Sequence, residues 1–256
     1  MGIDTSSNVL ETFLRMIGSV EPVDVVTSFT GSVSALRTGH AAAHLLCVDG
    51  LSVGRAERIG GGFRWLSREA LIFVDPQTRE PLETFAHSIL GGAREVAHVW
   101  NDPRNESFTT QDFLLRPQIS EGFVSFSHEI HHFATNPLSP SRWPQESSGE
   151  MLSLFDLRRY TTTIQELGGS APSVACDTTW TWITPWVPWM LCGSTPGHLV
   201  WHISGRKLFN GYRSLSVGIR SFVEQQRPEF AFAPRTFVAT NETIWSAHQK
   251  ERRPKL

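Results

Sequence analysis

Glu69 lies in the run Ser67 to Thr78, SREALIFVDPQT, where it alternates with Leu71 and Phe73 in a strand-like segment apolar on both faces. A carboxylate in such a place is either paired or raised in pKa. One reading makes it a general acid or base in a pocket. The other pairs it with Arg55, Arg58 or a neighbouring arginine across a sheet. His98 and Trp100 share a face of their strand-like run, and His198 and His202 share a face of a later one. A histidine beside tryptophan in a barrel lumen can move a proton near neutral pH, and it can equally serve as a hydrogen-bonded core residue.

Other groupings offer weaker chemistry. The run HEIHH, His128 to His132, invites a metal. On a strand His128 and His132 share a face but stand about 13 Å apart, too far to chelate one ion, whereas Glu129 and His131 on the other face stand about 6.6 Å apart. A helix would place His128 and His132 one turn apart, but the preceding FVSFS is strand-like and Pro137 follows soon after. Asn101-Asp102-Pro103 is first a turn signature, with Asp102 a possible catalytic carboxylate only after that. Ser194 to His198 sets a hydroxyl near an imidazole, but without a strand-to-helix nucleophile elbow it reads as a turn. Arg206 and Lys207 either grip an anion or end a strand in solvent. No phosphate-binding glycine loop is present; Gly60 to Gly62 reads as a hairpin turn.

The segment Trp180 to Lys207 holds five of the nine tryptophans: Trp180, Trp182, Trp186, Trp189 and Trp201. Indoles fill cores or wall pockets. Five exceed what one layer between sheet and helix needs, and an aromatic lining with a few polar groups describes small-molecule sites.

The elements that would position these residues are mostly strands. Short runs punctuated by turn residues recur from Ser28 to Phe133: Ser28 to Leu36, Ala43 to Val48 with an Asp49-Gly50 hairpin signal, Leu51 to Ile59, Phe63 to Val74, Leu82 to Leu90, Arg94 to Trp100, and Phe123 to Phe133. Met151 to Ile164 suits strand or helix, Thr178 to Thr184 alternates with Trp180 and Trp182 on one side, and His198 to Ser204 is a further strand. Helices are expected at Asn8 to Gly18 and Leu215 to Gln226. No helices intervene to cover a parallel sheet, so an antiparallel meander is expected.

Bulk properties exclude several classes. A net charge of -2 gives no basic field for nucleic acid or anionic membrane. No apolar run reaches the roughly 18 residues of a membrane span, and MGIDTSS lacks the pattern of a secretory signal. Three widely spaced cysteines, Cys47, Cys176 and Cys192, read as reduced thiols, which fits a cytoplasmic protein. The M-G-x-x-x-S start resembles a myristoylation signal without a second anchor, and the RRPKL ending is an imperfect peroxisomal address.

Six stretches in order carry a family resemblance: GRAERI (Gly54 to Ile59), SREALIFVDPQT, VAHVWNDPRN (Val96 to Asn105), TNPLSP (Thr135 to Pro140), ITPWVPWMLCGSTPGHLVWHISGRK (Ile183 to Lys207) and RPEFAFAP (Arg227 to Pro234). Together they resemble the bacterial and fungal domain-of-unknown-function family 1838 over roughly residues 28 to 234. The chain departs from that pattern at Thr84 to His87, where the family tends to a Trp-Asn-Pro turn, and at Arg104. The resemblance implies a shared fold and pocket and brings no reaction.

The expectation is one mainly β domain over residues 1–256, an antiparallel barrel or strongly curved sheet of lipocalin-like shape with a few covering helices. Residues 1–20 and 238–256 would be appendages, a helix and a solvated tail. Its expected occupant is a hydrophobic, aromatic or polycyclic small molecule. The first functional expectation is a cofactor-independent cyclase, isomerase or lyase using no metal. Glu69 and His98 would transfer protons, Arg68 would orient a polar substituent, and Trp100, Trp180, Trp182, Trp186, Trp189 and His202 would form the wall. The alternatives are a non-catalytic carrier or sensor and a metal-dependent hydrolase at the HEIHH strand.

Overall fold

The computed structural model describes residues 6–252, so Gly2 and Arg253 to Leu256, on which the two address signals rest, lie outside it. In chain order the elements are α1 (Ser6–Ile17), β1 (Val25–Leu36), β2 (Ala43–Ile59), β3 (Gly62–Val74), β4 (Thr84–His87), β5 (Gly92–Glu95), β6 (Val99–Asn101), β7 (Glu106–Thr109), β8 (Gln118–Ser120), β9 (Phe123–Thr135) and β10 (Met151–Thr163). Then follow α2 (Ile164–Leu167), β11 (Asp177–Thr184), β12 (His198–Leu208), α3 (Val217–Gln226) and α4 (Ile244–Glu251). The ten-stranded sheet runs β6-β3-β2-β1-β12-β11-β10-β9-β8, with β7 also on β3, while β4 and β5 form a separate hairpin. All of its pairings are antiparallel.

The sheet is rolled. Four strands separate β3 from β10 in the sheet order, which in a flat sheet would hold them about 24 Å apart. Yet Arg158 Nη2 of β10 lies 3.0 Å from Glu69 Oε2 of β3. Near the margins, Glu106 of β7 faces His128 of β9 at 3.8 Å. No backbone pairing joins β6 or β7 to β9 or β8 among the described residues, so the sheet stays open along this seam and the expected barrel closure is not formed.

Period-two alternation sets the inner face. Trp182 stands opposite Trp201 and Trp180 opposite both Ile203 and Arg158, while Ser52 opposes Glu69 and Glu69 opposes Asn101. At one end of the concave interior α1 inserts Phe13 among Phe108, Phe113, Phe126 and Tyr160, with ring centroids 5.2–5.5 Å apart. At the other end Trp182, Trp189, Trp201, Trp245, Phe73 and Leu138 form the largest buried cluster. On the outer face Leu51, Val53, Ala70 and Ile72 are covered by Ile219 and Val223 of α3 and by Phe230.

Two readings are corrected here. Asp49-Gly50 is no hairpin, because β2 runs through it without a break. Gly50 is required by closeness to the next strand: a Cβ there would strike the Ala70 carbonyl oxygen. Asp49 pairs with Arg79 outside. Nor is the segment from 238 onward a solvated tail, since α4 buries Trp245 and His248 and is capped by Thr243 and Ser246. The charge density of its last turn had hidden that apolar side. No helix among the described residues is long and apolar enough to cross a membrane.

Candidate functional site

A layer of charged side chains crosses the concave interior between the phenylalanine end and the tryptophan end. Its centre is Arg158. The Arg158 guanidinium lies over the Trp180 ring with Cζ 4.0 Å from the centroid. It donates to Glu69 at 3.0 Å and to Asp156 at 3.3 and 3.4 Å. Asn101 Nδ2 also donates to Glu69, at 3.4 Å. Arg104 Nη2 reaches Glu106 at 3.3 Å and Asp156 at 3.9 Å. Glu69 is 2% exposed, so this is a buried network whose members depend on one another.

Electrostatics within the layer follow from burial and neighbours. Burial by itself pushes the Glu106 carboxyl up, but Arg104, His128 and Arg158 together hold it below its ordinary value. Burial lowers the His128 imidazole, and Arg158 and Arg104 add to that against the pull of Glu106 and Asp156. His128 is therefore neutral at pH 7. For Arg158 burial works against the charge, but Asp156 and Glu69 outweigh it and raise the group well above its ordinary value.

The layer forms the floor of a cavity of about 610 Å³, within the size range of small-molecule sites. Glu69, Asn101, Arg104, Asp156 and Arg158 line its polar end. Trp180, Trp182, Leu152, Leu154 and Trp245 line the rest, and residues 239–246 close one side as a strap. The strap is held to the chain after β6. Asn241 Oδ1 accepts from the Asn105 amide at 2.6 Å and Asn241 Nδ2 donates to the Asn105 carbonyl at 2.9 Å. Asn105 Nδ2 donates to the Val238 carbonyl at 3.1 Å, and the Glu242 amide to the Pro103 carbonyl at 3.1 Å.

Three buried polar atoms on lining residues have no partner among the described residues: Asn101 Oδ1, Trp180 Nε1 and Trp245 Nε1. Each such atom costs about 1–3 kcal/mol when left unmade.

The structure brings together Glu69, Trp180 and Trp182 at this cavity. It sends the other residues singled out in the sequence elsewhere. Trp100 projects from the opposite face of β6, and His98 immediately precedes that strand. His98 Nδ1 accepts from the Phe73 amide at 3.1 Å, and the ring packs edge-on against Phe222 of α3. Burial lowers its pKa to about 4. It is not the acid/base partner of Glu69, because one residue of offset along a strand turns a side chain to the other face. Trp100 packs on Phe222 and Phe230. Arg68 also faces outward, paired with Asp102 at 2.8 Å and donating to the Glu229 and Phe232 carbonyls. His202 is exposed on the outer face of β12.

Trp186 and Trp189 are buried in the cluster beside the cavity. Trp186 donates to the Thr195 carbonyl at 2.9 Å, and Trp189 packs edge-on against Phe73. The tryptophan cluster thus divides, two of its indoles forming wall and the others core. The HEIHH run is extended, as its flanks imply, with Glu129 and His131 3.0 Å apart on the exposed side and His132 at the cavity. Among the described residues no three His, Cys, Asp or Glu side chains converge as a metal site.

Sequence reading missed Asp156, Arg158, Asn101, Arg104 and Trp245. A signal for the first two existed: in LSLFDLRRY the inward positions read Leu152, Leu154, Asp156, Arg158, an apolar alternation that turns abruptly ionic. Cys47, Cys176 and Cys192 are all unbridged.

No curated protein matches the chain. The family model described as a protein of unknown function, DUF1838, matches residues 23–252, and the chain belongs to that family.

Proposed function

We propose that the protein is an enzyme that binds a partly hydrophobic aromatic molecule in the concave cavity and transfers protons on it with Glu69, in the manner of a cofactor-independent isomerase, cyclase or lyase. The single observation that carries this reading is the joining of an aromatic wall to a buried ionic floor with unpartnered polar atoms beside it. An apolar wall alone would suit a carrier; paired carboxylates held in place by Arg158 supply acid/base groups where a substrate's polar end would rest. Trp180 and Trp182 would align the flat part of the substrate, and the strap at 239–246 would exclude water. Asp156 is the second carboxylate on the floor and Arg158 the positioning residue for both. A reduced compartment such as the cytoplasm suits the unbridged thiols.

The test is intrinsic tryptophan fluorescence against a panel of aromatic metabolites, with mass spectrometry of each mixture after incubation. Quenching with a changed product supports the enzyme, and Glu69→Gln is then expected to lower turnover about 100-fold or more while binding persists. Quenching with every ligand recovered intact replaces the enzyme with a carrier. Unchanged turnover in Glu69→Gln removes Glu69 from the chemistry.

A further inference from the structure

We propose that the occupant of this cavity is an organic cation, an aromatic molecule whose protonated amine lies against Glu69 and Asp156. The proposal rests on the reading of the cavity as the ligand site and names the ligand's chemical class.

The first argument is the charge balance of the floor. Three carboxylates, Glu69, Asp156 and Glu106, meet two guanidiniums, Arg104 and Arg158. His128, the remaining titratable group against Glu106, is neutral at pH 7 and adds no charge, and Tyr160 stays protonated because burial raises it. Glu242 at the rim is matched by Lys250. Counted with Glu106, which lies behind Arg104 and does not line the cavity, the layer holds one negative charge without a counterpart in a buried setting, where unpaired charge is costly. A ligand cation balances it; a carboxylate or phosphate would deepen the deficit.

The second argument is the pattern of unused hydrogen-bonding capacity. Asp156 accepts nothing closer than 3.3 Å from either arginine, and Glu69 shares its two oxygens between Arg158 at 3.0 Å and Asn101 at 3.4 Å. Asn101 Oδ1, on a side chain only 7% exposed, accepts nothing among the described residues. Asp156 thus keeps acceptor capacity to spare, and an ammonium with three N–H donors fits it.

The third argument is the wall. Arg158 already lies on the Trp180 ring, so the site stabilises one planar cation on an indole. Trp182 and Trp245 present further aromatic surface to the same cavity.

Three naphthalene probes of nearly one size separate the charge states: 2-(1-naphthyl)ethylamine, 2-(1-naphthyl)ethanol and 1-naphthylacetate. Calorimetric titration of the full chain at pH 7 is expected to rank them amine, alcohol, carboxylate, with about tenfold between the first two. Asp156→Asn and Glu69→Gln are each expected to bring the affinity for the amine down to about that for the alcohol. Because both residues belong to the buried network, the ranking in the unaltered protein is the primary readout and needs no variant. If the alcohol or carboxylate binds as well as the amine, the cation is wrong and the cavity reading survives. If none of the three binds at millimolar concentration, both fall.

Discussion

The two ends of the concave interior are made from the same sheet and both are rich in aromatic rings, yet they enclose very different amounts of space. At the α1 end Phe13 touches four aromatic rings, and the space left above the charged layer is about 50 Å³. At the other end tryptophans and leucines surround about 610 Å³. The difference lies in what covers each opening. A helix with a continuous apolar side fills the first, as a globular core requires. The second is bounded by the strap of residues 239–246, which the Asn241 side chain ties to Asn105 and the Glu242 amide ties to Pro103. Aromatic rings and the ionic layer are therefore common to both ends, and the open space is what sets the second apart.

Four changes would break or sharpen that contrast. The largest stability loss is expected from Phe13→Ala, about 3–5 kcal/mol in urea denaturation, because the sealed end can collapse little around the space created. Ligand binding should survive in the molecules that remain folded. Arg158→Met should cost about 3 kcal/mol, since it strands Glu69 and Asp156 without a cation, and the triple variant with Glu69→Gln and Asp156→Asn should recover most of the loss. If the single variant is neutral, the layer is not a coupled network.

The α1 end has a buried charge of its own. Lys207 Nζ donates to the Arg15 and Gly18 carbonyls at 2.6 and 3.0 Å, finishing α1, and burial lowers its pKa to about 8. Between pH 8 and the ordinary 10.5 the unfolded chain holds this proton and the folded one does not, so the group's contribution rises with pH across that window. Unfolding of wild type and Lys207→Met compared at pH 7.5 and 10.5 should show the wild type gaining on the order of 1–3 kcal/mol relative to the variant. A flat difference would show that Lys207 keeps its ordinary titration. The smallest stability effect is expected at the cavity wall: Trp182→Phe should cost under about 1.5 kcal/mol yet weaken aromatic ligands measurably, because it enlarges a space that is already open. A Trp182→Phe loss as large as that of Phe13→Ala would make Trp182 core and void the contrast.

Much of this architecture was legible in the residues. Strand alternation foretold the mainly β fold and the shared face of Trp180 and Trp182, because period two is a local property. The family resemblance at residues 28 to 234 lies within the match at 23–252. What sequence could not supply was contact across the roll. The residues point to an ion pair for Glu69 with Arg55, Arg58 or a neighbouring arginine across the sheet; the pair forms, but with Arg158, which meets Glu69 only because the sheet curls, while Arg55 and Arg58 pair with Asp24 and Glu11. His98 was singled out for sharing a face with Trp100, and that shared face is the outer one, where both rings pack on Phe222. Gly50 carried a hairpin signal for a reason of close packing that a lone sequence does not distinguish.

The strap has a consequence for the order in which the molecule is made. Residues 239–246 follow β12, the last strand, so every strand of the sheet is synthesised before the wall that completes the cavity. On a ribosome working from the N-terminus, the sheet can roll and its charged layer can pair while that side still stands open to water. The cavity is thus a late product of translation. A chain halted shortly after Leu208 would own the strands and the floor and still lack Trp245 and the Asn241 latch.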